Sequence, residues 1–463
     1  MKFLQGLLIV LVVIIGVLLI FRVIGLAVDS HYQNLLKPQA EKAKINFESL
    51  LNKTYSSWTY CDTPLEENAY KYYKPYFKSI VKNKRRTVAR PLPGKVNKLL
   101  TSYFRGGKLN FDEAENALAR MQIWLQKLRK AGCCTTYSIA NETTYNGVLT
   151  DLVYNYLWVI RGIEFILYTS SYELISGKKD AGVKDLLLSL KITRDISTPG
   201  LFLINNLIAM ALNRMTYTHI MAVASSEALN LQQVNLLLEA TRKLGFEKGF
   251  LLNGVKMEKN LLYYEGAKRS CAWIAWGDED KLSSLCYLKF WKDYFSYKRA
   301  IWKAARIAEK ARKAFENNIE MPYQEGVIKM ETEVDQVLSS NPITRDMAPN
   351  VAKIYQTYKT DQLLKKLALI SLNLRKAFLE KGEYPDTLGE MEKSIGTDPM
   401  TGKPFLYKKL SKGEAEILLP MYLPENSDDI ILHLCNCPYE KSLEEKLKFY
   451  NKIIELRNRE TRK

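Results

Sequence analysis

The sequence predicts a mainly α chain: an N-terminal transmembrane helix, an irregular antiparallel helical array, and a small C-terminal helix-plus-β-hairpin module. Three observations carry that expectation. Residues Phe3–Phe21 contain no charge. Long runs with helical apolar spacing, punctuated by Gly, Pro and capping residues, fill most of the chain. After Gly382 the composition switches to turn residues and aromatics. The expected divisions are residues 1–28 as the anchor, 29–345 as the array, 346–436 as the helix plus hairpin, and 437–463 as a charged tail helix.

The anchor follows from bilayer thickness. About 20 apolar residues rising 1.5 Å each cross a hydrocarbon layer of roughly 30 Å, whereas the apolar region of a cleaved signal runs to only ~7–15 residues. The run FLQGLLIVLVVIIGVLLIF meets that length, and VIGLAV continues it past Arg22. Gly25–Ala27 offers small residues of the kind found at cleavage sites, so an uncleaved anchor is the expectation and cleavage the alternative. Lys2 precedes the span and Arg22, Lys37 and Lys42 follow it. That count does not send the bulk outward, but long domains translocate largely regardless of charge.

With 463 residues, 47% of them hydrophobic, the chain can bury a large core and is not disordered by composition. Lysine and arginine exceed aspartate and glutamate by 68 − 50 = 18. Such an excess suits an anionic surface or a merely solvated basic face, and no nucleic-acid partner is expected. The seven cysteines, Cys61, Cys133, Cys134, Cys271, Cys286, Cys435 and Cys437, form no even, spaced framework. Cys435-Asn-Cys437 lacks the two-residue spacer and second pair of a zinc motif. Packed, idle thiols are expected, with a Cys435–Cys437 redox pair as the alternative.

Asp29–Leu51 reads as a continuing helix, and Tyr55–Phe77 is tyrosine-rich without a period. Lys82–Arg86 and Arg90–Gly94 read as a basic solvated connector, since Pro91 and Pro93 bar a continuous helix. Asn110-Phe-Asp-Glu113 has capping-box spacing, and Ala114, Ala117, Leu118, Met121, Trp124, Leu125 and Leu128 then share one helical face up to a stop at Gly132. Tyr145–Ile175 closes at Gly177. Asp180–Ile196 ends before Thr198-Pro199, where Thr should cap and Pro open the next helix, which runs to about Ser225. Leu231–Leu244 stops at Gly245. Short loops between such helices imply antiparallel neighbours.

In Lys298–Phe315, Ile301, Ala304, Ala308, Ala311 and Phe315 form an apolar stripe. Arg299, Lys303, Arg306, Lys310 and Lys313 repeat about 200° around the helix. These five are the candidates for contact with an anionic surface; the alternative is a packed helix with a solvated outer side. Pro322, Pro342 and Pro349 break the following stretch, and Val351–Lys381 restores a long helix ending at Gly382. Pro385 then fixes an extended entry, and Asp386 starts a short helical turn through Met391. Asp398-Pro399 suits a tight turn, and Gly402 tolerates backbone angles closed to other residues. Phe405–Lys408 and Ala415–Leu419 are the expected strands of a hairpin lying against the preceding helix.

Tyr384-Pro385-Asp-Thr-Leu388 after a long helix, followed by Asp398-Pro399-Met-Thr-Gly402-Lys-Pro404-Phe-Leu-Tyr407, resembles the C-terminal module of the major pseudopilins of bacterial type II secretion. In that module a YPxxL turn leads to a DPxGxPxxY strand. Thr401 is one residue extra before the glycine, and the likeness covers about Val351–Leu432. A pilin would carry its N-terminal span on that same helix; here the span lies far upstream. The chain is also similar to uncharacterised bacterial membrane-anchored helical proteins that end in this hairpin, over roughly Gly147–Leu432. The resemblance implies an inner-membrane, single-pass protein with its bulk in the periplasm and an envelope protein as partner. It also implies calcium near the C-terminal loop, where Asp428 and Asp429 are the candidate ligands.

The three histidines, His31, His219 and His433, are too scattered for a two-histidine metal helix or an evident acid–base centre. The motifs GxSxG, GxxxxGKS/T and GxGxxG are absent. Glu239, Glu258 and Glu265 fall in helices, where carboxylates are usually surface charges. No catalytic residue is assigned, and no cofactor beyond calcium. The expectation is a membrane-anchored cell-envelope binding or scaffold protein linked to a secretion or pseudopilin-like system. The alternative is a membrane-tethered enzyme of hydrolase type with a dispersed site, which a deep polar pocket holding coupled carboxylates would reveal.

Overall fold

The computed structural model describes the chain except for residues 1, 78–79, 83–84, 88–91, 105–107, 140–144, 199–202, 269–296, 340–350, 390–395, 420–429 and 461–463. For 2–16, 18, 74–77, 80–82, 85–87, 145–158, 258–259, 261–262, 264–268, 297 and 456–460 it describes the backbone alone. In chain order come α1 (Lys2–Leu51), β1 (Tyr55–Ser56), β2 (Leu65–Asn68), α2 (Tyr70–Phe77), β3 (Ile80–Lys82), β4 (Arg85–Thr87), α3 (Gly94–Phe104), α4 (Phe111–Gly132) and β5 (Cys134–Tyr137). Helices α5 (Tyr145–Ile175), α6 (Lys179–Ser197), α7 (Leu203–Ala224), α8 (Leu231–Leu244), α9 (Lys248–Lys268), α10 (Tyr297–Asn318) and α11 (Tyr323–Lys329) follow. After a π-helical turn at Met330–Asp335 come α12 (Gln336–Ser339), α13 (Val351–Lys381), β6 (Leu406–Ser411), β7 (Glu414–Leu419), β8 (Ile430–Cys435) and α14 (Tyr439–Glu460). The fold is mainly helical, as the periodicities require.

The chain forms two compact units. The first comprises Met1–Leu50, Leu252–Asn318 and Lys329–Ala352. Its core contains Leu36 of α1 with Ala300, Ile301, Ala304 and Ala305 of α10, and the alanines leave room for close helix approach. The span Phe3–Phe21 falls largely on residues 1–16, whose side chains lie outside the described residues. Among the described residues, no helix is long and apolar enough to cross a membrane. Val17, Leu19, Ile20, Val23 and Leu26, on the described part of α1, are exposed.

The second unit comprises Leu51–Leu251, Ile319–Ile328 and Lys353–Lys463. At its centre runs α6, which packs on α4, α5, α7 and α8. Fourteen of its nineteen residues are buried, so the helix has little solvated surface, and Asp185, Lys191 and Asp195 must be met inside. Local signals set most boundaries. Asn110 caps α4, Gly177 and Gly382 end their helices at φ +79° and +78°, and Asn230 with Gln233 forms a complete capping box on α8.

Several expectations need correction. Thr198 closes α6, its hydroxyl donating to the Arg194 carbonyl at 2.7 Å, while Pro199, expected to open the next helix, lies outside the described residues. Gly132 is not a left-handed stop. A Cβ there would run into the Tyr60 phenol, so the glycine admits a strap at residues 55–61. That strap contains β1, which pairs antiparallel with β5, while β2 pairs parallel with the other edge of β5. The basic connector forms the antiparallel hairpin β3–β4 rather than a plain loop. The thiols are not all idle either: Cys61 is bonded to Cys133 and Cys435 to Cys437, while Cys134 is free and buried. Cys271 and Cys286 lie outside the described residues.

The C-terminal module is a three-stranded antiparallel sheet, β6-β7-β8, rather than a two-stranded hairpin. Ala415, Ile417, Leu419, Ile430, Leu432, Leu434 and Cys435 are buried on its strands. The charged tail helix α14 packs on β8 and on α7, burying Tyr439, Leu443, Leu447 and Phe449.

The Cys61–Cys133 bond closes a loop over a sequence separation of 72. A loop of that size is worth roughly 4 kcal/mol through restriction of the unfolded chain. Thermal unfolding of the Cys61→Ser/Cys133→Ser chain should show a midpoint several degrees lower with the helical circular-dichroism signal retained. An unchanged midpoint would mean that the strap is held without the bond.

Candidate anion-binding cleft

A cleft of about 740 Å³ opens between α3 and α4 in the second unit. Pro93 leads into α3, and its carbonyl accepts from the Asn97 N–H at 3.0 Å. Val96, Leu100 and Tyr103 bury inward at i, i+4 and i+7, which turns Lys95, Lys98 and Ser102 toward solvent. On α4 the Asn110 side chain accepts from the Glu113 N–H at 3.3 Å. Ala114, Ala117 and Met121 are buried, while Glu113, Asn116 and Arg120 line the cleft. Lys108 reaches it from the connector.

Among the described residues, four exposed cations, Lys95, Lys98, Lys108 and Arg120, share this cleft with one carboxylate, Glu113. Asn110 and Glu113 mark the N-terminus of α4, whose unsatisfied N–H groups add partial positive charge. Val96, Leu99 and Ala117 give it an apolar floor. This chemistry holds an anion. Among the described residues its lining offers no activated nucleophile, since the hydroxyls there are those of Ser102 and the buried Tyr103.

Behind the floor runs a buried hydrogen-bond chain. Tyr103 donates to Ser171 Oγ at 2.8 Å, and Tyr439 OH lies 3.1 Å from the same oxygen. The Tyr103 hydroxyl is also 3.5 Å from His219 Nε2. His219 is fully buried, and burial lowers its pKa to about 4. The neutral ring donates through Nδ1 to the Met215 carbonyl at 2.9 Å, leaving Nε2 as acceptor. The Tyr103, Ser171 and Tyr439 hydroxyls tie α3, α5 and α14 together and keep α3 in place as one wall of the cleft.

The charges of α6 form two further clusters beneath the strap. Arg129 holds Asp185 through two hydrogen bonds, Nε–Oδ1 at 2.8 Å and Nη2–Oδ2 at 2.7 Å, and reaches Glu173 at 2.7 Å. Burial raises the Asp185 pKa, Arg129 pulls it back, and Glu173 adds to the rise. Lys191 lies 3.4 Å from Asp195 and donates to the Cys134 carbonyl at 3.0 Å and to Ser57 Oγ. Asp195 accepts from Ser57 at 2.6 Å and from Tyr73 at 2.9 Å. Ser57, Lys191 and Asp195 thus resemble a nucleophile with its base in composition only. The lysine is locked in an ion pair, and the serine proton is already committed to a carboxylate.

The residues singled out from sequence fall elsewhere. On α10, Arg306, Lys310 and Lys313 are exposed, whereas Arg299 and Lys303 are half-buried and Arg299 lies over the Tyr32 ring at 6.0 Å. Asp428 and Asp429 lie outside the described residues. Tyr384 and Leu388 are buried in the second unit, and the Pro385 carbonyl accepts from Tyr407 at 2.7 Å. Asp398 is buried and closes its turn through Met400 N–H at 2.9 Å and Thr401 Oγ1 at 3.1 Å, with Gly402 at φ +73°. Pro399 accepts from Tyr323 N–H at 3.0 Å, and Pro404 is exposed. These seven are architectural. Sequence reading missed Lys95, Lys98, Lys108 and Arg120; the signal available was Val96, Leu100 and Tyr103 at helical spacing just after Pro93.

Comparison with family models, with curated proteins and with solved structures finds no match to this chain.

Two measurements test this interior. Lys191→Met should cost about 3–5 kcal/mol by stranding Asp195, while Lys191→Met/Asp195→Leu should recover most of it; denaturant midpoints give both values. His219 supplies a pH signature. The unfolded chain takes up its proton near pH 6.5, the folded chain only near pH 4. Its stabilising effect is therefore complete above pH 6.5 and lost by pH 4, a difference of about 3 kcal/mol. Burial raises the Asp361 pKa to about 7, which works in the opposite sense over an overlapping range. The His219 contribution is thus read as the difference between the wild-type and His219→Gln stability profiles.

Proposed function

We propose that this protein is a membrane-tethered binding protein of the cell envelope that holds an acidic segment of a protein partner in the α3–α4 cleft. The carrying observation is the charge of the cleft, four exposed cations to one carboxylate at the N-terminus of a helix. Lys95 and Lys98 stand on α3, Arg120 on α4 and Lys108 between them, so the cations are distributed along two walls. An extended acidic chain fits that distribution better than a compact headgroup does.

Other features support the tether and the compartment. Phe3–Phe21 carries no charge; Val17, Leu19 and Ile20 within it are exposed, and the exposed Val23 and Leu26 extend its apolar surface along α1. A Cys61–Cys133 disulfide persists in an oxidising compartment, which favours the bulk facing away from the cytoplasm. The pseudopilin-like hairpin is consistent with a secretion-linked envelope role, and in this reading it serves the body as a structural module.

Membrane-reconstituted full-length protein should bind a fluorescent glutamate-rich peptide with an affinity that falls as salt rises. Lys98→Glu/Arg120→Glu should weaken it at least tenfold, and Arg306→Glu/Lys310→Glu on α10 should leave it unchanged. Equal losses in the two variants would reduce the effect to net charge. Binding of inorganic phosphate that competes fully with the peptide would replace the peptide reading with a small-anion site.

A further inference from the structure

The corner where β8 turns into α14 gathers four metal-ligating side chains, only two of which are neighbours in the CxC sequence. His433 lies on β8, Cys435 and Cys437 flank the turn, and Glu445 lies on α14. His433 Nδ1, Cys435 Sγ and a Glu445 carboxylate oxygen all lie within 4.8 Å of one another, and the nitrogen is 3.7 Å from Glu445 Oε2. Cys437 completes the group because its sulfur is bonded to that of Cys435. Glu445 Oε2 is buried and accepts no hydrogen bond, and the Lys446 ammonium lies 3.9 Å from it.

The backbone of this corner is held independently of the sulfur–sulfur bond. Asn436 N–H donates to the Gly413 carbonyl at 2.8 Å, and Arg375 Nη1 donates to Asn436 Oδ1 at 2.7 Å. Glu227 N–H donates to the Cys437 carbonyl at 3.2 Å, and Ser226 bridges to Cys437. Lys446, the cation nearest the group, is buried and tied to the His433 carbonyl. Three other segments thus position the turn, so opening the disulfide need not release its side chains.

We propose that this corner is a redox-gated site for a zinc-class divalent ion. A dithiol reductant delivers two electrons and two protons, breaking the Cys435–Cys437 bond and leaving as its own disulfide. The two thiols then lose their protons to solvent as the metal binds. Two thiolates, one imidazole and one carboxylate make a four-donor set of the borderline-soft kind that zinc takes tetrahedrally. Separations up to 4.8 Å close to the spacing of such a set with small side-chain rotations. Because both states use the same two sulfurs, disulfide formation and full coordination exclude each other.

The test uses the full-length chain, oxidised or reduced with a phosphine that is then removed, titrated with zinc against a chromophoric chelator and with cobalt(II). The reduced chain should bind one zinc that the oxidised chain does not, and cobalt should give the intense visible bands of a tetrahedral thiolate site. Cys435→Ser/Cys437→Ser should abolish that site. His433→Ala and Glu445→Gln should each weaken it at least tenfold, with unchanged circular dichroism. Zinc uptake by the reduced Cys435→Ser/Cys437→Ser chain equal to wild type would assign the metal to other thiols. Insensitivity of both affinity and cobalt spectrum to His433→Ala and Glu445→Gln would leave only an adventitious dithiol. Either result overturns the proposal.

Discussion

The second unit depends on meeting the charges that α6 carries into its interior. A helix buried over most of its surface normally carries apolar residues alone, because an unpaired buried charge costs several kcal/mol. Here Asp185, Lys191 and Asp195 are essentially inaccessible, and each requires partners from another part of the chain. Arg129 comes from α4, Ser57 from the strap, Tyr73 from α2, and the Cys134 carbonyl from β5. The small β1-β5-β2 sheet is the means by which those partners reach α6. The Cys61–Cys133 bond anchors the strap at the end of α4. Two features that looked unrelated in sequence, a tyrosine-rich stretch and a pair of adjacent cysteines, thus answer one electrostatic requirement.

That dependence explains which parts of the fold were legible. Helix ends written in local chemistry could be read directly: Asn110 before α4, Gly177 after α5 and Gly382 after α13 act on neighbouring backbone groups alone. Gly132 and Gly245 gave the right boundaries for a reason sequence could not supply. Neither adopts a left-handed conformation; their missing Cβ atoms make room for Tyr60 and for Lys365, which are distant in the chain. Strands β1, β2 and β5 run two to four residues, too short for an alternation to register. The third strand of the C-terminal sheet did carry one, in the alternate burial of Ile430, Leu432 and Leu434. The cleft was illegible because its cations come from two helices and a connector, and charge spacing along either helix alone is that of an ordinary solvated face.

The C-terminal module shows the same division between local code and distant attachment. Its turn closes through Asp398, Thr401 and Gly402, with Thr401 held by a hydrogen bond to the turn's own carboxylate. Attachment is made by backbone groups that sequence does not mark: Tyr323 and Gln324 N–H donate to the Pro399 and Met400 carbonyls. At the opposite end of the sheet, Arg375 and Gly413 seat the turn between β8 and α14. The module is joined to the body at both ends, and α14 is a packing partner of β8 and α7 rather than an appendage.

A surplus of 18 positive charges has different consequences inside and outside such a body. In the clusters around α6, cations and carboxylates balance or nearly balance within hydrogen-bonding range, so those sites contribute little to the external field. The surplus is carried by solvated side chains, most of which are screened within about 8 Å at physiological ionic strength. A concave surface with apolar walls screens less well, because its low-dielectric floor concentrates the field between the charges. Lys95, Lys98, Lys108 and Arg120 occupy such a surface, with Val96, Leu99 and Ala117 beneath them. The exposed cations of α10, Arg306, Lys310 and Lys313, instead stand on the outer face of a packed helix. Equal charge at the two places therefore yields unequal potential, and the field in the cleft is the stronger of the two.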